Sequence, residues 1–403
     1  MKFTKEQIQE WKKKHGDLFE ITVDGKSCIL HRPTRRDLSY ASVIKDPIKM
    51  SETMLGQLWV AMTFKEEVEE KLRNLAKPPG SLGLLEQQAK KIFLAWQKTE
   101  PDLRPKHIIF AADNGIVWSG AAVQLPEITY LQTCNMVDGL AAISCFCDYN
   151  HIPYEVVDVG IDSPDAVGLN YKIRQGTRNF SVEPAMTEAE VKRAVEVGRE
   201  RVSFAAHMGY NLLSFGEMGI GNTTTSAAVL TALAPDYASL IAGYGSAKGN
   251  YRLLRHKEEL VSEAMEQYGS LMSGPIDVLR YVGGFDLAAI TGAMLACAER
   301  RIPFYVDGFI TAVALVCAVK IRDDVRDYAL LSHLSREAGM TLALRIIDMD
   351  ESEIPLHCGF SLGEGTGAVL AVSLMQSLMY AIGHMGTLDE VNKNAKRRRK
   401  GGV

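Results

Sequence analysis

Two glutamates sit inside glycine-rich turns. Glu217 lies in Gly216-Glu217-Met218-Gly219-Ile220-Gly221-Asn222-Thr223-Thr224-Thr225, and Glu364 lies in Gly363-Glu364-Gly365-Thr366-Gly367. Each turn follows an apolar stretch and opens onto a long, alanine-rich segment with a helical pattern. That order sets backbone N–H groups and hydroxyls at a helix N-terminus, where a phosphate is favoured. A carboxylate beside a phosphate cradle suggests chemistry on a phosphorylated small molecule. The turns match none of the common nucleotide or hydrolase signatures. There is no G-x-x-x-x-G-K-[ST], no G-x-S-x-G elbow and no H-E-x-x-H. Gly363-x-Gly365-x-Gly367 is not G-x-G-x-x-G, and it sits near the C-terminus instead of in a first βα unit. What remains fits a nucleotide-like monophosphate.

The elements that must hold these turns read as apolar strands alternating with apolar helices. Strands are predicted over His107–Ala112, Tyr154–Val157, Asn211–Phe215 and Pro303–Val306, with Leu240–Tyr244 and Ala329–His333 as further candidates. Four of them run into an acidic residue near a glycine, at Asp113, Asp158, Glu217 and Asp307. Runs buried on both faces and separated by helices predict an α/β fold with a doubly wound, mostly parallel, Rossmann-like sheet. In such a sheet the ligand crevice lies at the carboxyl ends of the strands. The four acids are therefore expected to gather there, although any one alone reads more readily as a helix cap. Upstream, Glu52–Ala76 and Leu84–Lys98 read as helices broken at Lys77-Pro78-Pro79-Gly80. Leu18–Val23 and Ser27–Leu30 flank a hairpin signal at Asp24-Gly25. The expected organisation is an N-terminal extension or small α+β module over 1–45, a helical segment of a smaller domain over 46–100, the α/β core over 101–375, and a C-terminal helix with a basic tail over 376–403.

The 403 residues carry a net charge of −4, which excludes a nucleic-acid-sized basic field. The tail Lys396-Arg397-Arg398-Arg399-Lys400 reads as a solvated end. Seven scattered cysteines suggest reduced thiols and a cytoplasmic location. Cys145, Cys147 and His151 lie close together, but no second ligand pair with zinc spacing follows, so buried structural cysteines on one helix are expected. The N-terminus has no signal-peptide core, and no strictly apolar stretch approaches the ~18 residues of a membrane span. Neither a metal nor a cofactor is expected.

Five further segments follow one another in the order of a known family. They are Lys77-Pro78-Pro79-Gly80-Ser81-Leu82-Gly83, Ala111-Ala112-Asp113-Asn114-Gly115, the Gly219–Thr224 turn, Val282-Gly283-Gly284-Phe285-Asp286, and Arg301-Ile302-Pro303 with Asp307-Gly308-Phe309; Leu362–Ala368 closes the series. Over roughly residues 70–390 the chain resembles the nicotinate-nucleotide:dimethylbenzimidazole phosphoribosyltransferases of cobamide lower-ligand synthesis. The resemblance implies that an aromatic base displaces nicotinate from nicotinate mononucleotide, giving an α-ribotide. It implies Glu364 as general base, with Gly363 and Gly365 allowing close backbone approach and Thr366 beside them. It implies Gly219, Gly221, Asn222, Thr223 and Thr224 around phosphate and ribose, Glu217 facing the same space, Lys257 near the phosphate, and Asp307 and Gly308 in the site. A homodimer is also implied.

The chain departs from the family at Asn114 and Met340, where histidine is usual, and at Ala122 and Leu125-Pro126-Glu127-Ile128-Thr129, where Ser and Pro-Gln-Glu-Val-Thr are usual. Asn114 and the Ala122–Thr129 departures fall in the segment implied to line the base, and Ala122, Leu125 and Tyr130 are expected to offer a methyl, an isobutyl and a phenol to a different or broader set of bases. Two alternatives stay open on the residues alone: a nucleotide-monophosphate hydrolase or kinase using the same cradle, and a non-catalytic nucleotide-binding or assembly protein led by residues 1–45.

Overall fold

The structure is a computed structural model that describes residues 18–23, 26–31, 64–236, 250–337 and 339–400. The chain divides into two units, Met1–Glu70 and Lys71–Val403. In the first, β1 (Leu18–Val23) pairs antiparallel with β2 (Lys26–His31), and Val23 stands opposite Lys26. That is the hairpin expected around Asp24-Gly25, two residues that lie outside those described.

The second unit is built on one six-stranded sheet. Its strands are β3 (Pro105–Ala112), β4 (Tyr154–Gly160), β5 (Leu169–Asn170), β6 (Leu212–Met218), β7 (Phe304–Val306) and β8 (Ala329–Leu331), in the order β5-β4-β3-β6-β7-β8. Every neighbouring pair is parallel. The doubly wound α/β fold read from the strand and helix alternation is the one observed. β3 and β6 are buried along their whole length, as a strand covered on both faces requires. The winding reverses between these two strands, so their carboxyl ends open the crevice in which such sheets bind ligands. β4 and β6 run further than expected, through Asp158 and Glu217, so these two acids sit inside strands instead of after them. The Leu240–Tyr244 candidate lies outside the described residues.

Helices cover both faces: α1 (Gly83–Trp96), α2 (Glu127–Val137), α3 (Ala142–Tyr149), α4 (Glu188–His207), α5 (Asn222–Leu233), α6 (Tyr251–Tyr268), α7 (Pro275–Val282), α8 (Phe285–Glu299), α9 (Phe309–Ile321), α10 (Gly339–Ile346), α11 (Thr366–His384) and α12 (Leu388–Lys400). Residues 64–73 are also helical and are the described part of the predicted Glu52–Ala76 helix. α8 is apolar on all sides because it is buried on all sides, down to Ala298. It crosses α4 at van der Waals distance. A Cβ on Gly198 would lie 1.8 Å from the Ala289 carbonyl oxygen, and one on Gly292 would lie 1.9 Å from that of Val195.

α11 is a 19-residue apolar helix, long enough in composition to span a membrane, and about 56% of that stretch is buried inside the protein. It packs on α1, α3 and β6, and it runs unbroken across positions 375 and 376. On α3 the expectation of two buried cysteines is half right: Cys147 is buried and Cys145 is exposed.

Candidate active site

The first glycine turn joins β6 to α5. Gly221 caps α5 with φ +92°, a left-handed conformation in which a side chain is strained. A Cβ there would also meet Val117 Cγ1 at 2.6 Å. The turn is tied from two sides. The Ile220 N–H donates to Thr129 Oγ1 on α2 at 3.0 Å, and Lys257 Nζ on α6 donates to Thr223 Oγ1 at 3.4 Å. Lys257 is buried, and burial pulls its ammonium pKa down. A buried cation held beside a helix N-terminus is suited to an incoming anion.

The second turn carries Glu364 in an unusual backbone. Gly363, Glu364 and Gly365 have φ +82°, +64° and +84°, so three consecutive residues are left-handed and the middle one is not glycine. Such a non-glycine residue costs about 1–3 kcal/mol and persists only where its surroundings hold it. Here they do. The buried His107 ring on β3 donates from Nε2 to the Glu364 carbonyl at 3.0 Å, and Ser214 on β6 lies 2.8 Å from Nδ1. Since the carbonyl only accepts, Nε2 carries the proton and the Ser214 hydroxyl donates to Nδ1. Burial keeps this histidine neutral, with a pKa lowered to about 4.

Glu364 is only 5% exposed. Its Oε1 accepts from Gln132 Nε2 at 2.7 Å, and Oε2 has no partner. Gln132 is turned the right way round by Asn135, whose Nδ2 donates to its amide oxygen at 3.2 Å. Burial raises the Glu364 pKa; the Gln132 bond and, after it, the nearby Ile143 backbone N–H oppose that rise. A desolvated carboxylate with one oxygen fixed and the other free has the form of a general base.

Further acids sit behind the turns. Asn222 Nδ2 bridges Glu217 Oε2 and Asp286 Oδ2, the latter at 3.3 Å. Burial first, and then the neighbouring Asp286, pushes Glu217 up to about 8; burial pushes Asp286 up to about 7. Asp307 accepts the Ala368 N–H at 3.0 Å and lies 3.6 Å from His333 Nδ1; burial raises its pKa.

A cavity of about 390 Å³ lies between the two turns. Glu217, Gly219, Gly221, Asn222, Thr223, Lys257, Asp307, Gly308, Gly363, Glu364 and Ala122 line it, so eleven residues singled out from the sequence do converge. Five others stand back. Thr224 is buried, with its hydroxyl 3.5 Å from the Ala121 carbonyl, and Gly365 and Thr366 lie beneath the Glu364 turn. Tyr130 is outside the cavity: on α2 it shares a face with Cys134, whereas Ile128 and Gln132, one turn apart, face inward. Leu125 is also outside, exposed on the preceding loop.

The four strand-end acids divide. Glu217 and Asp307 reach the cavity. Asp158 instead accepts the N–H groups of Gly160 and Ile161 at 3.1 and 3.0 Å and pairs with Lys172 at 3.2 Å, which makes it a clasp for its own loop. Asp113 accepts the Asp162 N–H at 2.8 Å and lines a separate open cleft of about 620 Å³ with Arg174 and Trp118. Of the family departures, Asn114 is buried with Oδ1 unpartnered, and Met340 is buried with its sulfur accepting the Ser335 N–H at 3.4 Å.

Gln132, Asp286 and His107 were not singled out from the sequence, and Thr129 stood only within the Leu125–Thr129 run. Asp286 stands in a quoted motif, so its acid at a glycine-led helix start was a usable signal. The other three act through partners 91 to 257 residues away. Among the described residues, no group of three or more His, Cys, Asp or Glu side chains is arranged to hold a metal ion.

A family model described as DBI_PRT, phosphoribosyltransferase, matches residues 60–392. A nicotinate-nucleotide–dimethylbenzimidazole phosphoribosyltransferase of Bacteroides fragilis is 38% identical over 327 residues, covering 80% of this chain and 93% of that protein. The protein of the same name from Shewanella loihica is 37% identical over 338 residues, covering 82% and 97%. The crystal structure of CobT from Thermus thermophilus superposes with a TM-score of 0.76 at 35% identity, covering 82% of this chain and 98% of that one.

Proposed function

The chain belongs to the nicotinate-nucleotide–dimethylbenzimidazole phosphoribosyltransferase family, and from that premise we propose how its own residues carry out the transfer. The reaction moves the ribose phosphate of nicotinate mononucleotide onto an aromatic base. A ring nitrogen of the base, or the hydroxyl oxygen of a phenol, forms the bond to C1′ as the bond from C1′ to the nicotinate nitrogen breaks. The electron pair leaves with the pyridinium, which becomes neutral, and inversion at C1′ gives the α-ribotide.

Glu364 Oε2 takes the proton that the base sheds. One observation carries this assignment: Glu364 lines the cavity as a buried carboxylate, with Oε1 held by Gln132 and Oε2 without a hydrogen bond. Phosphate and ribose belong on the Gly219–Thr223 turn, with Lys257 as counter-charge. Glu217, protonated at neutral pH by its raised pKa, offers an O–H to the ribose. Holding base and C1′ in attacking geometry supplies much of the rate, because the leaving group needs little help. Replacing Glu364 by Gln is expected to leave the KM for nicotinate mononucleotide close to normal and lower kcat by ~10²–10⁴-fold. Near-normal turnover would remove the assignment.

The acceptor is a benzimidazole or a phenol. Beside Glu364 and Gln132 the wall is mostly apolar, formed by Ala122, Val123, Ile128 and Leu362, with Gln124 and Ser361 as its polar members. Adenine would bury unpaired donors there at ~1–3 kcal/mol each. The check is kcat/KM for dimethylbenzimidazole, benzimidazole, p-cresol and adenine. A strict preference for adenine, or more than about a hundredfold preference for dimethylbenzimidazole over benzimidazole (~2.7 kcal/mol), contradicts this reading. A homodimer and a cytoplasmic location complete the proposal; sedimentation and cell fractionation test them.

A further inference from the structure

We propose that His107 is a positioning residue for the transfer: with Ser214 it locks the left-handed peptide of Glu364 and thereby holds the carboxylate on the cavity wall. The inference rests on the reading of Glu364 as the base. His107 and Ser214 are partners across the β3–β6 pair, in the strand register itself. The two strands therefore present the ring and the hydroxyl side by side, under the turn that starts α11.

The fit on this platform is close on every side. A Cβ on Gly365 would lie 2.1 Å from His107 Cε1, and a Cβ on Gly216 would lie 2.2 Å from the Glu364 carbonyl oxygen. Two glycines thus make room for one buried hydrogen bond, from His107 Nε2 to that carbonyl. Left without it, a non-glycine residue at φ +64° would relax toward negative φ. Rotation of that peptide swings the carboxylate away from both Gln132 and the cavity. His107 lies beneath the turn and does not line the cavity, so it acts on the reaction only through Glu364.

The test compares His107→Leu, His107→Gln and Ser214→Ala with Glu364→Gln, using nicotinate mononucleotide and dimethylbenzimidazole. His107→Leu fills a similar volume without an N–H. It is expected to lower kcat by up to ~10²-fold with KM for nicotinate mononucleotide unchanged, the effect of a misplaced group and not of lost binding. His107→Gln, whose amide N–H reaches the same carbonyl, recovers most of kcat.

The acidic limb of the pH–rate profile gives a second readout. Glu217, Asp307, His333, Lys257 and Glu337 line the cavity with Glu364 and are unchanged in all variants. Burial holds the Glu364 pKa up, and the base is lost as pH falls through it. A swung carboxylate loses the Gln132 bond, which held its pKa down, but gains solvent; because burial is the larger of the two effects, its pKa falls, so the limb moves to lower pH in His107→Leu and returns in His107→Gln. Simple loss of folded protein lowers the rate without moving the limb. If His107→Leu does not fold, Ser214→Ala decides, through a smaller fall in kcat with the same direction of limb shift. Wild-type kcat and limb in the folded His107 or Ser214 variants, or a Gln variant as poor as Leu, overturns the proposal. If Glu364→Gln is itself active, it is the base assignment that fails.

Discussion

Glu217 and Asp286 meet across one asparagine amide, and both are buried with raised pKa values. Glu217 binds its proton up to about pH 8, while an ordinary glutamate releases it near 4.5. Its stability contribution is fully present below that lower value and is lost as pH rises toward 8. Glu217→Gln cannot ionise, so its melting temperature should fall less steeply than that of the wild type between about pH 5 and 8. Parallel slopes would show that Glu217 titrates normally. Glu217, Glu364 and Lys257 were visible in the sequence because glycines or a phosphate-turn motif flagged them. Gln132 and His107 were not, because a glutamine on a helix and a histidine in a strand have no local mark of their partners in β6 and the Glu364 turn.

At the level of elements, the glycines divide by what their missing side chains would meet. Gly221 first suggests open space for a phosphate, but its Cβ would point at Val117 and its φ is +92°. Gly221→Val is therefore expected to lower the melting temperature as well as substrate affinity; calorimetry that finds full stability with lost binding would restore the simpler view. Gly292→Ala sets a methyl against the Val195 carbonyl where α8 crosses α4. Overpacking there should cost about 1–3 kcal/mol, read from denaturant midpoints at unchanged slope. Strand positions were legible because buried parallel strands are continuous apolar runs. The α2 face was not: Tyr130 follows Thr129 in sequence, yet the turn of the helix, about 100° per residue, sends it to the far side from the cavity.

At the scale of the whole molecule, the sheet order explains why residues far apart in the chain share one site. Winding outward from β3 and β6 leaves their carboxyl ends uncovered, and the Glu364 turn descends onto them from a helix that packs along β6. The recognisable motifs all begin after Leu75, and the family match begins at residue 60. Deleting residues 1–45 should therefore leave the melting temperature and the transfer rate of the remaining chain unchanged, measured by calorimetry and nicotinate release. A loss of either would make that segment part of the catalytic unit.

The left-handed backbone at Glu364 has a bearing on how this protein would evolve in the laboratory. Glycine is the residue that relieves φ +64°, and it would also remove a buried, half-satisfied carboxylate. Selection for heat resistance alone should then enrich glycine at 364 and yield sturdier, inert variants. Selection for turnover should keep glutamate there and find its stabilising changes elsewhere, away from the sheet ends.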